Sequence, residues 1–195
     1  MSFSISPSPL TSEVPLVDRK SLIGFRAACE QMWGPAGLAS IVDALPPEVR
    51  DRTAGARPLE KWHAVEDLIA WHRAVWNGPA HRDERVFTQH IHATVDKGFG
   101  RVKRFLLSVS TPRSLAPRVA ALWRDEYSTG RLVAAFPEEL VVHLTLSDHP
   151  YVDDVLMRFV ISEVFRYVMS MTRVKKVSVS YGIREGALVV GLRWE

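Results

Sequence analysis

The chemistry this chain could do rests on seven histidines, one cysteine and a few adjacent acidic pairs. A transition-metal centre needs imidazoles or thiolates that converge on one point. The histidines stand at 63, 72, 81, 90, 92, 143 and 149. His90 and His92 are two residues apart, and on a helix they point roughly 200° away from each other, so they cannot chelate together. There is no His-Glu-x-x-His pattern and no cysteine cluster, so no metal site is expected. Cys29 falls in an apolar helical pattern and reads as a small core residue. Nucleophilic catalysis on a Gly-x-Ser-x-Gly elbow is excluded because the motif is absent. Lys97-Gly98-Phe99-Gly100 lies inside a helical pattern and lacks the Lys-Ser/Thr ending of a phosphate loop. The pairs Asp125-Glu126 and Glu138-Glu139 read as solvated faces. Asp153-Asp154 reads as a helix start, where carboxylates meet the positive end of the dipole.

Recognition is the other possibility. Trp62, Trp71 and Trp76 fall within fifteen residues. Tryptophans fill cores, and they also line ligand cavities and anchor partners. Trp71 and Trp76 are five apart and cannot share one narrow helix face, so one of them is expected toward a groove or a subunit contact. Basic clusters occur at Arg101, Lys103, Arg104 and at Arg173, Lys175, Lys176. The formal net charge of +3 is too small for extended contact with nucleic acid.

These residues must be positioned by ordinary globular elements. The chain has 195 residues, 47% hydrophobic and 24% charged, which suits one domain. Residues 1–17 carry Ser6-Pro7-Ser8-Pro9 and Pro15 and read as a flexible arm. The single domain is expected over 18–195. Helices are expected at 19–33, stopped by Gly34-Pro35, then at 36–45, 62–76, 82–108 and 112–127. Gly98 and Gly100 interrupt the long fourth helix and call for close packing or a kink. Strands are expected at 131–136 and 140–146, a helix from Tyr151, and a hairpin of 176–183 with 187–194 around Arg184-Glu185-Gly186. The fold class is therefore α+β. A helical N-terminal two thirds packs on a small antiparallel sheet of about four strands, with a long helix between the second and third. No apolar run is long enough to span a membrane, the N-terminus lacks a secretory pattern, and one cysteine allows no internal disulfide. A cytoplasmic setting is the expectation.

The order of features carries a resemblance. An apolar helix reaches Trp33-Gly34, a second ends at Leu45-Pro46-Pro47-Glu48, and Trp123-x-x-x-Tyr127-x-x-Gly130-Arg131 precedes a strand pair. A long apolar helix and a terminal hairpin ending Leu192-Arg193-Trp194 follow. This resembles a group of myxobacterial proteins distantly similar to haem-nitric-oxide-binding and vinyl-reductase-type sensor domains, over about 20–195. The haem-binding relatives hold the propionates with Tyr-x-Ser-x-Arg on the strand before the long C-terminal helix. The matching stretch is Thr145-Leu146-Ser147-Asp148-His149, in which only Ser147 agrees, so the bidentate clamp is missing.

The leading expectation is a non-catalytic sensor or adaptor domain that binds a small apolar ligand or a protein, as a homodimer or with a signalling partner. No cofactor, metal, nucleic acid or membrane partner is expected. Trp62, Trp71, Trp76 and His149 are the candidate contacts. A haem or tetrapyrrole gas sensor is the alternative. An enzyme whose residues meet only in space, such as Asp153, His149 and a basic group, is the third reading.

Overall fold

A computed structural model describes residues 14–55, 59–98 and 101–195. A short strand β1 (Leu16–Asp18) opens it and pairs antiparallel with β2 (Trp62–Ala64), Val17 facing His63. Val17 is fully buried and also bridges to Tyr127. The end of the expected Ser/Pro arm is thus ordered at Leu16 and Val17; residues 1–13 lie outside the described residues. Sequence periodicity missed both strands because three residues are too few to show a period.

Helix α1 (Arg19–Asp43) starts on an N-cap, the Asp18 carboxylate accepting from the Lys20 N–H at 2.8 Å. The expected stop at Gly34-Pro35 is a kink instead. Gly34 takes φ 70° and ψ −179°, and the chain resumes helix at once with Pro35. Proline fits a first helical turn, whose N–H groups have no intrahelical acceptor. Helix α2 (Pro47–Thr53) follows. Helix α3 (Val65–Asn77) begins after β2, three residues later than the periodicity suggests. Of the expected 82–108 helix, α4 (Glu84–Gly98) and α5 (Arg101–Ser108) are helical, and residues 99–100 lie outside the described residues. The close packing sought for Gly98 belongs to Gly24 of α1. A Cβ on Gly24 would stand 3.3 Å from the Gly98 nitrogen and 3.5 Å from the Thr94 carbonyl oxygen. Helix α6 (Pro112–Glu126) carries a capping box between Thr111 and Ser114.

The C-terminal third forms the sheet. Strands β3 (Arg131–Glu138), β4 (Val141–Ser147), β5 (Val177–Arg184) and β6 (Ala187–Trp194) lie in the order β3-β4-β6-β5, all antiparallel. A 3-10 turn at Pro150–Val152 leads into helix α7 (Val155–Ser170). Asp154 caps α7 by accepting from the Met157 N–H at 3.0 Å, which realises the expected acidic helix start. Glu185 (φ 51°) and Gly186 (φ 74°) make the β5–β6 turn, both in the left-handed region that a tight hairpin requires. One sheet face is apolar: Leu132, Val142, Leu144, Leu146, Leu188, Val190, Leu192 and Trp194 are buried. Met157, Val160, Ile161 and Met169 of α7 are buried in the same core, as are Leu22 and Phe25 of α1 and Phe87 and Ile91 of α4. The α+β expectation and its long helix between the second and third sheet strands agree with this architecture.

Candidate functional site

Two buried centres combine imidazoles with aromatic rings. The first lies in the helical part. His90 of α4 and His72 of α3 sit among Phe25, Trp33 and Phe87, with Phe25 edge-on to His72 at 4.7 Å and to His90 at 4.5 Å. Trp33 stacks on His90 at 5.2 Å. Cys29 Sγ lies 3.3 Å from His90 Nε2. Burial pushes the Cys29 thiol up to about 12 and the His90 imidazole down to about 3, so both are neutral near pH 7. Burial, then the neighbouring His90, lowers His72 as well. Cys29 is therefore an inert thiol, as its apolar setting suggested.

The second centre joins the end of α6 to the end of β4. Gly130 adopts φ 87°, and a Cβ there would meet His149 Cβ and Trp123 Nε1, each at 3.0 Å. That glycine lets the turn after α6 lie directly on His149. Around the imidazole stand Trp123 at 5.0 Å, Tyr127 at 5.1 Å and Tyr151 at 4.4 Å, all edge-on. Trp123 Nε1 donates to the Thr129 carbonyl at 2.9 Å, and the hydroxyls of Tyr151 and Tyr127 meet at 3.4 Å. Burial raises Tyr127 to about 12 and raises Tyr151 too, and lowers His149 to about 4. His149 Nδ1 accepts from the Tyr151 N–H at 3.3 Å, which caps the 3-10 turn. The proton of the neutral ring then sits on Nε2, which is buried with no partner among the described residues; Thr129 Oγ1 is in the same condition.

A polar cluster fastens α4 to α7. Arg166 donates to both oxygens of Glu163, its Nη2 lies 3.2 Å from His92 Nε2, which is also 3.6 Å from Glu163 Oε2, and the Tyr167 hydroxyl donates to Asp96 at 3.0 Å. Tyr167 stacks on His92 at 4.0 Å. Burial raises the Glu163 carboxyl, but the bonds and charges of His92 and Arg166 outweigh it and leave it below the usual range. His90 and His92 thus face a core and a helix interface respectively, the divergence that helical geometry dictates.

The expected contact residues are spread over the molecule. Trp71 is fully buried, its Nε1 donating to Thr53 Oγ1 at 2.9 Å. Trp76 is half-buried against Phe87, and Trp62 is half-buried beneath Lys61. His149 joins none of them. The residues gathered around it, Trp123, Tyr127 and Tyr151, carried a signal in their spacing: a Trp and a Tyr four apart, then a His and a Tyr two apart. His149 Nδ1 is engaged by the Tyr151 N–H and its Nε2 has no hydrogen-bond partner among the described residues, so neither Asp153 nor a basic group is hydrogen-bonded to the ring. Among the described residues no group of three metal-ligating side chains occurs. Two grooves of about 190 and 270 Å³ open on the outer sheet face beside His143, Ser180 and Gly191. Both are smaller than the ~300–1,000 Å³ usual for ligand pockets.

No family model and no curated protein matches the sequence. Solved structures do match its fold. The Fe(II) unliganded H-NOX protein (haem–nitric oxide/oxygen binding) from K. algicida superposes with a TM-score of 0.64 at 8% identity, over 91% of this chain and 96% of that one. An oxygen-binding H-NOX domain related to soluble guanylate cyclases gives 0.57 at 8% identity, over 89% and 93%. A Cs H-NOX mutant gives 0.62 at 8% identity, over 91% and 96%. The chain therefore has the H-NOX fold, as the resemblance implied. The expectation of no cofactor is overturned here, since the structures sharing this fold come from work on haem proteins, and haem becomes the candidate cofactor.

The residues that the resemblance sets at the propionate-clamp positions do not fit that group. Thr145 replaces the tyrosine, Ser147 Oγ donates to its neighbour Asp148 at 3.0 Å, and the buried His149 replaces the arginine with a neutral ring. No cationic fork is present there to pair with a carboxylate.

Proposed function

We propose that this chain is a sensor domain of the haem–nitric oxide/oxygen-binding type, whose scaffold takes haem or a tetrapyrrole of the same class and responds to a small ligand. The observation that carries this reading is the whole-chain fold match to the K. algicida protein, 91% of one chain on 96% of the other. The cofactor's attachment must differ from the clamp, because Thr145, Ser147 and His149 offer no anion-binding fork. The buried neutral imidazoles of His90 and His149 supply the only protonation state that can ligate a metal. His149 would first have to give up its cap on Tyr151 or its Nε2 proton.

The test is titration of the purified full-length chain with hemin, read by absorption and native mass spectrometry. A saturable Soret band at one haem per chain, weakened by His90→Ala or His149→Ala, is the expected result. Hemin uptake that is unsaturable and unchanged by both substitutions refutes the reading.

A second reading is favoured by one observation. Phe105 and Leu106 of α5 and Val109 just after it are 67%, 55% and 44% exposed. Such a patch suits a protein partner. An adaptor acting through protein contact, in a cytoplasmic setting, is the reading that a negative hemin titration would leave. Among the described residues no helix is long and apolar enough to cross a membrane.

A further inference from the structure

The sheet has two free edges, and they are built differently. β3 carries Pro137 and an irregular register between Ala135 and Glu138. Proline removes a ladder donor and a bulge bends the strand, two devices by which proteins keep an edge from pairing. β5 has neither. Its register with β6 runs unbroken over eight pairs, from Val177–Trp194 to Arg184–Ala187. Among the described residues no strand other than β6 pairs with it.

The two-residue turn makes Arg184 and Ala187 the closing hydrogen-bonded pair. Hydrogen-bonded and non-bonded pairs alternate from there. Val177, Val179, Tyr181 and Ile183 therefore turn their N–H and C=O groups outward. Their side chains lie on the core side of the sheet, opposite Trp194, Leu192, Val190 and Leu188. Yet Tyr181 is 45% and Ile183 41% exposed, an apolar margin along an unpaired backbone.

We propose that two copies of this chain pair antiparallel along β5, about a two-fold axis through Tyr181, to make one continuous eight-stranded sheet. A two-fold axis perpendicular to the sheet keeps each side chain on its own face, so only even-step registers are allowed. With Tyr181 on the axis, Val179 meets Ile183 of the second copy and Tyr181 meets Tyr181. Both matches are apolar cross-strand pairs of the kind that stabilise sheets. Placing Ser180 on the axis instead sets Arg184 against Lys176, a like-charge pair. Placing Gly182 there sets Val179 against Glu185 and keeps only the Tyr181–Ile183 match, whereas the Tyr181 register keeps both apolar matches and puts only Val177, at the far end of the strand, beside Glu185. The self-complementary pattern favours a second copy over an unrelated strand. This pairing is independent of whether haem is bound.

Sedimentation velocity of the full chain over a broad concentration range tests it, together with two cysteine variants. Paired Cα atoms across such a ladder are ~5.5 Å apart, within disulfide range. Tyr181→Cys should form a covalent dimer on mild oxidation. Val177→Cys should not, because its two copies lie far apart along the ladder. Ile183→Lys should give a monomer with unchanged circular dichroism. A wild type that is monomeric throughout overturns the proposal, as does crosslinking of Val177→Cys equal to that of Tyr181→Cys, or a dimer that survives Ile183→Lys.

Discussion

Acidification is the perturbation that tests the buried centres most directly. His90 and His149 are held neutral by burial, at about 3 and about 4 against an ordinary 6.5. The unfolded chain binds protons on both below pH 6.5, while the folded chain does not until pH nears those lower values. The unfolded state therefore holds more protons across that window, and stability falls as pH falls. Each such histidine contributes a slope of about 1.4 kcal/mol per pH unit. At pH 5 the loss is about 2 kcal/mol for each, so about 4 kcal/mol for the pair, a large share of the ~5–15 kcal/mol that keeps a domain folded. His72, lowered by the same burial, adds in the same direction. Urea unfolding followed by tryptophan fluorescence at half-unit steps from pH 7 to pH 5 reads the slope. This window stays above the range where Glu163 loses its charge. His149→Asn keeps an acceptor for the Tyr151 N–H but cannot titrate, so its slope should be shallower by about one proton. A wild-type stability that is flat from pH 6.5 to 5 would refute the burial argument. An unaltered slope in His149→Asn would remove His149 from it.

Three further substitutions probe the packing that surrounds these centres. Gly24→Ala places a methyl 3.3 Å from the Gly98 nitrogen and should cost ~1–3 kcal/mol in denaturant unfolding by forcing α1 off α4. Trp71→Phe removes the donor to Thr53 Oγ1, which keeps its own bond to the Val49 carbonyl at 2.6 Å; a loss of about 1 kcal/mol beyond the packing change is expected. Glu163→Gln should destabilise by roughly 1 kcal/mol at pH 7. The Glu163 carboxyl sits below its ordinary value, so its contribution is present above pH 4.5 and disappears as pH falls through the folded value. The gap between wild type and variant in thermal melts should close in acid.

How much of this could be read from the residues depends on whether a feature repeats. α7 and the two strands of the terminal hairpin were legible because Val155 to Met169 repeats at helical spacing and Leu188, Val190 and Leu192 alternate. The kink at Gly34 was located but misjudged: Gly-Pro ends many helices, yet here the helix resumes because Pro35 can occupy a first turn. The β1–β2 ribbon was invisible because its stability comes from long-range contacts, Val17 to His63 and Tyr127. The His149 centre was half visible. Its imidazole could be singled out as the residue replacing the clamp arginine, but not as the cap of a 3-10 turn sealed by Trp123, Tyr127 and Tyr151. Convergence of that kind is set by where α6 ends on β4, which no local pattern encodes. On the proposed reading, the histidine at position 149 is what would make haem attachment differ on the same fold. An arginine at position 149 would need water or an anion for its charge, whereas a neutral histidine can be roofed over by Gly130 and three aromatic rings. The position that the resemblance equates with the clamp arginine is part of the core in this chain. On the proposed reading a haem at this position would have to displace or bypass that roof, and the hemin titration with His149→Ala decides which.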